Sequence, residues 1–109
     1  MMFLLPAEAV LRLSRHYETG AKKYGFFNWN RGIIISSFIC SALRHIFKYL
    51  AGRDDEDHLA AAAFNILGAM QMENTLPDMQ DLPMRQRKRT FGYFDGEVEN
   101  REFMGEVSR

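Results

Sequence analysis

The sequence predicts a small all-α domain, and three segments with periodic apolar residues support that prediction. In residues 6–18, 33–50 and 56–74, apolar side chains recur at three- and four-residue steps, which places them on one face of a helix. Pro6 suits a first helical turn, and Gly52 suits a helix end. A chain of 109 residues is one domain by size, and so small a domain gains burial by self-association. We therefore expect a small helical bundle completed by oligomerisation.

Each predicted helix has an apolar face of its own. In the third helix, the alanine run 60–63 predicts a close approach by a neighbouring helix, since alanine adds little bulk. The predicted faces comprise Ala9, Val10, Leu13 and Tyr17 in the first helix, Ile35, Phe38, Ile39, Ala42, Ile46, Tyr49 and Leu50 in the second, and Leu59, Ala63, Ile66 and Met70 in the third.

Residues 19–32 fit no period and are predicted to form a loop that is rich in glycine and aromatic residues. The aromatic rings either plug one end of the helical core or serve a binding site. The character of the chain changes again after residue 76, so we predict a helical domain of residues 1–76 and an irregular C-terminal extension of residues 77–109. Within that extension, Asp95 and Gly96 predict the turn of a short hairpin.

Composition excludes several classes of protein. Fourteen basic and fourteen acidic residues cancel, which argues against a dedicated nucleic-acid binder. The single cysteine, Cys40, has no partner for an intrachain disulfide bond. No apolar run approaches the roughly 20 residues of a membrane span, and residues 1–6 do not form a signal peptide. We expect a cytoplasmic protein that does not contact a membrane.

The head of the third predicted helix carries a candidate metal site. Asp54 and Asp57 are three residues apart, and His58 and Asn65 are seven apart, so each pair shares a helix face. Carboxylates, an imidazole and an amide oxygen suit a hard divalent cation. Acids at a helix start also serve as caps, because they accept hydrogen bonds from free N–H groups. Both interpretations stay open.

Arg44 and His45 lie on the preceding predicted helix. If the two helices pack antiparallel, this pair falls near the middle of their interface. The planar guanidinium of Arg44 fits a phosphate group. The alternative is a solvated arginine beside a hydrogen-bonded core histidine.

The predicted loop contains groups that suit a nucleotide. Lys22 and Lys23 place cations beside a flexible backbone, which suits phosphate. Asn28 supplies an amide that can read the edge of a purine, and Trp29 supplies a large ring for stacking. A charged surface loop with buried aromatic side chains is the alternative.

Several of these motifs occur together in one known family. They are Pro6-Ala-Glu-Ala-Val10, Gly20-Ala-Lys-Lys-Tyr-Gly25, Asn28-Trp29 followed by Gly32, Arg44-His45, Gly52, and Asp57-His-Leu-Ala-Ala-Ala-Ala-Phe-Asn65. In their order and spacing they resemble the phage and bacterial dATP/dGTP diphosphohydrolases, which are related to the all-α pyrophosphatases of the MazG type. The resemblance covers residues 6–74, with a weaker similarity at residues 81–85.

The resemblance implies a MazG-like helical bundle that oligomerises and hydrolyses dATP or dGTP to the monophosphate and pyrophosphate. It implies Mg²⁺ or Mn²⁺ as cofactor and a purine deoxynucleotide as ligand. The roles it implies are catalysis by Asp54, Asp57 and His58, metal binding by the same three residues with Asn65, phosphate binding by Lys22, Lys23 and Arg44, and base or sugar binding by Tyr24, Asn28 and Trp29, with His45 nearby.

The chain departs from the family pattern at two positions. Arg53 stands where the family often has glutamate, and Ala61 stands where some members have a second histidine. Fewer metal ligands predict weaker metal binding. Two further hypotheses are therefore a non-catalytic nucleotide-binding module of the same fold, and a phage interaction protein that uses the basic segment 85–89 and the aromatic segment 91–94.

Overall fold

Three long helices make up most of the structure, a computed structural model that describes residues 1–25, 27 and 30–86. All regular structure in these residues is helical, which confirms the predicted all-α class. None of the described helices has both the length and the apolar character of a membrane span. The elements are a 3₁₀ turn at Met2–Leu4, α1 at Ala7–Tyr24, α2 at Ile35–Leu50, α3 at His58–Thr75, a 3₁₀ turn at Pro77–Met79 and the one-turn helix α4 at Pro83–Gln86.

Helices α2 and α3 form an antiparallel pair. His45, in the second half of α2, contacts His58 at the start of α3. Phe38, two turns earlier in α2, packs against Gly68, nearly three turns further along α3. The contacts therefore run in opposite directions along the two helices. The antiparallel packing agrees with the prediction, but the expected position of Arg44 and His45 near the middle of the interface is wrong. His45 contacts the first residue of α3, and Arg44 is exposed.

Helix α1 lies against α3 and runs in the same direction. Arg12 of α1 pairs with Asp57 at the head of α3, and one and a half turns later the ring of Tyr17 lies 4.8 Å from that of Phe64. None of the side chains of α1 is fully buried. The side of α1 that faces α2 and α3 therefore borders open space.

Small residues bring α2 and α3 close together. Ala60, Ala61 and Ala62 are buried, which confirms the close approach that the alanine run predicted. At Gly68, an added Cβ would lie only 2.7 Å from Cζ of Phe38, so this position has no room for a side chain. The apolar core around this contact consists of Ile35, Phe38, Ala69 and Met72.

The predicted apolar face of α3 is wrong. Leu59, Ile66 and Met70 are 41%, 41% and 58% exposed. Close packing selects the opposite side of the helix, because α2 can approach only where the side chains are small. On α2, the predicted face is buried at Ile35, Phe38 and Ala42 but exposed at Ile46, Tyr49 and Leu50.

The predicted end of the first helix is also wrong. Residues 19–24 were assigned to a loop, but α1 continues through Gly20 and ends at Tyr24. A glycine inside a helix costs only about 1 kcal/mol relative to alanine, which neighbouring turns can offset. The helix stops instead at Gly25, whose φ of +98° suits glycine and whose N–H donates to the carbonyl of Ala21.

Residues after α3 fold back onto α2. The carboxylate of Asp81 accepts hydrogen bonds from the backbone N–H of Ser36 (2.8 Å) and from its hydroxyl (2.5 Å). These bonds satisfy a free N–H in the first turn of α2 and lower the pKa of Asp81. Met79 and Leu82 pack against the apolar core. The division of the chain at residue 76 stays a prediction, and the hairpin at Asp95 lies outside the described residues.

Candidate functional site

Two histidines meet where α2 and α3 come together. Nδ1 of His45 lies 2.9 Å from Nδ1 of His58, and Nε2 of His58 lies 2.8 Å from a carboxylate oxygen of Asp55. An ionised carboxylate only accepts hydrogen bonds, so Nε2 of His58 is the donor to Asp55. In the neutral ring, Nδ1 of His58 then keeps its lone pair, directed toward His45. The same bond lowers the pKa of Asp55.

Burial determines the charge state of the other histidine. Desolvation lowers the pKa of His45, and this effect outweighs the opposing influence of Glu56. His45 is therefore neutral at pH 7. A neutral imidazole is the form that coordinates a metal ion, so its lone pair is available for that role.

Glu56 completes a group of three candidate ligands. One nitrogen from His45, one from His58 and one carboxylate oxygen of Glu56 all lie within 4.8 Å of one another. We call these three residues the donor cluster. Imidazole and carboxylate are ordinary ligands for divalent transition metals, and a carboxylate partner such as Asp55 orients a ligating histidine. The residues therefore fit a divalent ion, although two imidazole nitrogens depart from the oxygen ligands that Mg²⁺ prefers.

Asp57 has a different set of partners. Its two carboxylate oxygens accept hydrogen bonds from Nε (2.7 Å) and a terminal nitrogen (2.6 Å) of Arg12. One of them also accepts the backbone N–H of Ala60 at 3.2 Å, so Asp57 caps α3. The guanidinium of Arg12 holds the pKa of Asp57 at about 2. The sequence left the acidic residues before α3 open as metal ligands or as helix caps. For Asp57, the structure shows the helix cap.

A cavity of about 740 Å³ lies between α1 and the α2–α3 pair, within the size range of small-molecule sites. The turn before α3 contributes Glu56 and Asp57, and α2 contributes Ser41 and His45. From α3 come Ala61, Phe64 and Asn65. The wall on the side of α1 consists of Arg12, Arg15, His16, Thr19, Gly20, Lys23 and Tyr24.

The structure brings most of the sequence-predicted residues into this region. Lys23, Tyr24, His45, Asp57 and Asn65 line the cavity, and His58 is buried beside it in the donor cluster.

Three predicted residues do not line it. Lys22, Arg44 and Asp54 are exposed elsewhere. Asp54 and Asp57 do not share a helical turn, because α3 begins only at His58. The predicted base-binding residues Asn28 and Trp29 lie outside the described residues.

Sequence reasoning missed Arg12 and Arg15 as site residues. Together with Thr19 and Lys23 they recur at intervals of three, four and four residues, which is the spacing of one helix face. The signal was present in the sequence but was hidden, because the first helix was predicted to end at residue 18. Asp55, the partner of His58, was missed as well, since it lies in a non-helical turn without a period.

The fold and the site together define a class of protein. It is a small all-α protein in which one cavity has a cationic helix wall and a candidate metal-binding cluster. Residues 1–82 match the family model described as dATP/dGTP diphosphohydrolase, N-terminal. The match covers most of the 109 residues, and the chain belongs to this family. The family resemblance inferred from the motifs is therefore confirmed. No curated protein and no solved structure matched the chain.

Proposed function

We propose that the protein hydrolyses purine deoxynucleoside triphosphates, dATP or dGTP, to the monophosphate and pyrophosphate with the help of a divalent metal ion. The observation that carries this proposal is the cavity itself. It places basic side chains of α1 opposite His45 and Glu56 of the donor cluster, in a chain of this family. Hydrolysis of a triphosphate requires both features, because the substrate is an anion and the attacking water needs activation.

In this proposal the donor cluster would hold Mn²⁺ or Mg²⁺, and Asp55 would keep the ring of His58 in place. A bound ion supplies Lewis acidity and lowers the pKa of a coordinated water. Glu56 is exposed, and the carboxylate oxygen that does not serve as a ligand would accept a proton from the attacking water. It stays a prediction that Asp54 and Asp57 are catalytic residues and that Asn65 is a metal ligand.

The nucleotide is proposed to lie along α1. Lys23 neutralises phosphate charge, and Lys22 and Arg44 stay predicted phosphate ligands. Tyr24 contributes to the base and sugar side, for which Asn28 and Trp29 are the other predicted residues.

An assay of each deoxynucleoside triphosphate with Mn²⁺ or Mg²⁺ tests the activity. We expect equal amounts of monophosphate and pyrophosphate from dATP or dGTP, and little product from the pyrimidine nucleotides. Chromatography with separate quantification of pyrophosphate and orthophosphate makes the distinction. Release of the diphosphate and orthophosphate, or turnover that survives EDTA, would contradict the proposal.

A non-catalytic nucleotide-binding protein is the second candidate. The observation in its favour is the Arg12–Asp57 pair, which occupies both carboxylate oxygens of one predicted metal ligand. In that case dATP or dGTP raises the unfolding temperature of the protein without being hydrolysed. Indifference to every nucleotide instead favours the phage interaction protein.

We also propose that the protein forms a homo-oligomer. Leu43, Phe47 and Leu50 recur along one side of α2 and are 48%, 64% and 71% exposed. Apolar side chains exposed in such a row mark interaction surfaces, and a second copy of the chain would add the burial that a small domain has in short supply. We expect sedimentation equilibrium to give a multiple of 12.7 kDa, and Phe47→Glu to give the monomer. A wild-type protein that stays monomeric at about 100 μM, where a dimer of micromolar affinity would be formed, contradicts oligomerisation.

A further inference from the structure

Helix α1 presents a row of positive charge to the cavity. Arg12, Arg15 and Lys23 all line it, and we call these three residues the cationic stripe. With a rise of about 1.5 Å per residue, the stripe extends roughly 16 Å along the helix. It is therefore long enough to meet several phosphate groups in succession.

Two members of the stripe have unsatisfied charge. Arg12 is paired with Asp57. Among the described residues, the side chains of Arg15 and Lys23 form no ion pair. Glu56 is the remaining acid on the cavity, and it belongs to the donor cluster. The cavity wall formed by α1 is consequently positively charged, and the opposite wall carries Glu56, a candidate metal ligand.

Resting on the proposed function, we infer that the cationic stripe, with Arg15 at its centre, binds the polyphosphate chain of the nucleotide. The planar fork of an arginine holds a phosphate group through two N–H donors, and lysine adds a mobile point charge. The hydroxyl of Ser41 lines the same cavity and offers a further donor. This assignment adds Arg12 and Arg15 to the phosphate ligands predicted from the sequence, of which Lys23 lines the cavity and Lys22 and Arg44 do not.

Asp57 acts on this site as a positioning residue. Its two-point contact with Arg12 sets the guanidinium of Arg12 at the head of α3, directly beside Glu56 and His58 in the chain. The guanidinium of Arg12 is half exposed, so a highly charged phosphate chain can reach it while Asp57 holds it in place. One end of the polyphosphate therefore lies next to the donor cluster, where its hydrolysis takes place.

Binding of inorganic tripolyphosphate in EDTA, measured by isothermal titration calorimetry, tests the stripe without metal or turnover. We expect Arg15→Gln to weaken binding about tenfold and Lys23→Gln to weaken it severalfold. Arg85→Gln, the matched control on α4, removes the same charge away from the cavity and leaves the affinity within about twofold. Raising the salt concentration weakens wild-type binding, because the contact is electrostatic.

The outcomes separate this inference from the proposed activity. No tripolyphosphate binding by the wild-type protein, equal losses in Arg15→Gln and Arg85→Gln, or a larger loss in Lys22→Gln than in Lys23→Gln each overturn the stripe as the binding site. In the turnover assay, Arg15→Gln should raise KM more than it lowers kcat. Selective tripolyphosphate binding without hydrolysis of any nucleotide leaves the stripe intact and refutes the activity alone.

Discussion

Replacing His58 with alanine is expected to lower metal-dependent turnover by more than about 100-fold. Loss of a residue that merely supports a metal ligand typically costs 10- to 100-fold in metal affinity or activity, and loss of a ligand costs at least as much. His58 is 2% exposed and joins α3 to His45 and Asp55, so its removal takes away a candidate ligand and the contact that orients the cluster. Turnover of dATP and dGTP and the Mn²⁺ affinity from calorimetry are the measurements.

Because a buried histidine also contributes to packing, a second variant at an exposed position separates metal binding from folding. Glu56→Gln keeps the shape of the side chain and removes its charge, so we expect a comparable loss of Mn²⁺ affinity with unchanged thermal unfolding in EDTA. Glu73→Gln, an exposed position near the end of α3, is the matched control and should behave as wild type. Wild-type Mn²⁺ affinity in both His58→Ala and Glu56→Gln would exclude the donor cluster. A selective loss in Asp54→Asn would favour the acids predicted from the sequence.

The second large effect is expected at Gly68, where Gly68→Val should lower the free energy of unfolding by about 2–3 kcal/mol, in the upper part of the range for an overpacked core. The first added carbon already meets the ring of Phe38, which is 3% exposed and held within the apolar core. The two methyl groups of valine enlarge that clash, and a β-branched residue gains little helix propensity over glycine. In a domain of this size the melting temperature falls by more than about 10 °C. Chemical denaturation followed by circular dichroism measures the change.

A double-mutant cycle identifies the contact responsible. Phe38→Leu replaces the ring by a smaller side chain and so relieves the clash with the methyl groups of the introduced valine in the Gly68→Val protein. The substitution should therefore cost less stability in that protein than in the wild type. Glu73→Val introduces the same side chain at an exposed position of α3 and should cost less than about 1 kcal/mol. Additive effects of Phe38→Leu and Gly68→Val on the free energy of unfolding would show that these two positions are not in contact in the core.

Local patterns were reliable where one helix determines the outcome. The three helices, the close approach at the alanine run and the cap at Asp57 all follow from the spacing or chemistry of neighbouring residues. The end of α1 did not follow, because Gly20 and Gly25 are both suitable stops and only the observed backbone shows that Gly25 is used. This error also hid part of the candidate site, because it placed Lys23 in a loop and not on the helix face that Lys23 shares with Arg12 and Arg15.

The apolar face of α3 shows a different limit. Leu59, Ile66 and Met70 have the periodicity of a core face, yet α2 packs against the side that carries alanine and Gly68. Periodicity reports which side chains are apolar, whereas packing depends on how near another helix can come. A surface that is apolar but not buried in one chain is also what oligomerisation would require.

The sequence by itself determined the all-α class, the family and His58 as a candidate site residue, because these depend on residue type and on spacing along the chain. Only the tertiary structure decided that His58 joins His45 and Glu56, that Asp57 pairs with Arg12, and that α1 forms the basic wall of the cavity. These contacts join residues up to 45 positions apart. They depend on how three helices pack, and helix packing is determined by shape and distance that no single segment encodes.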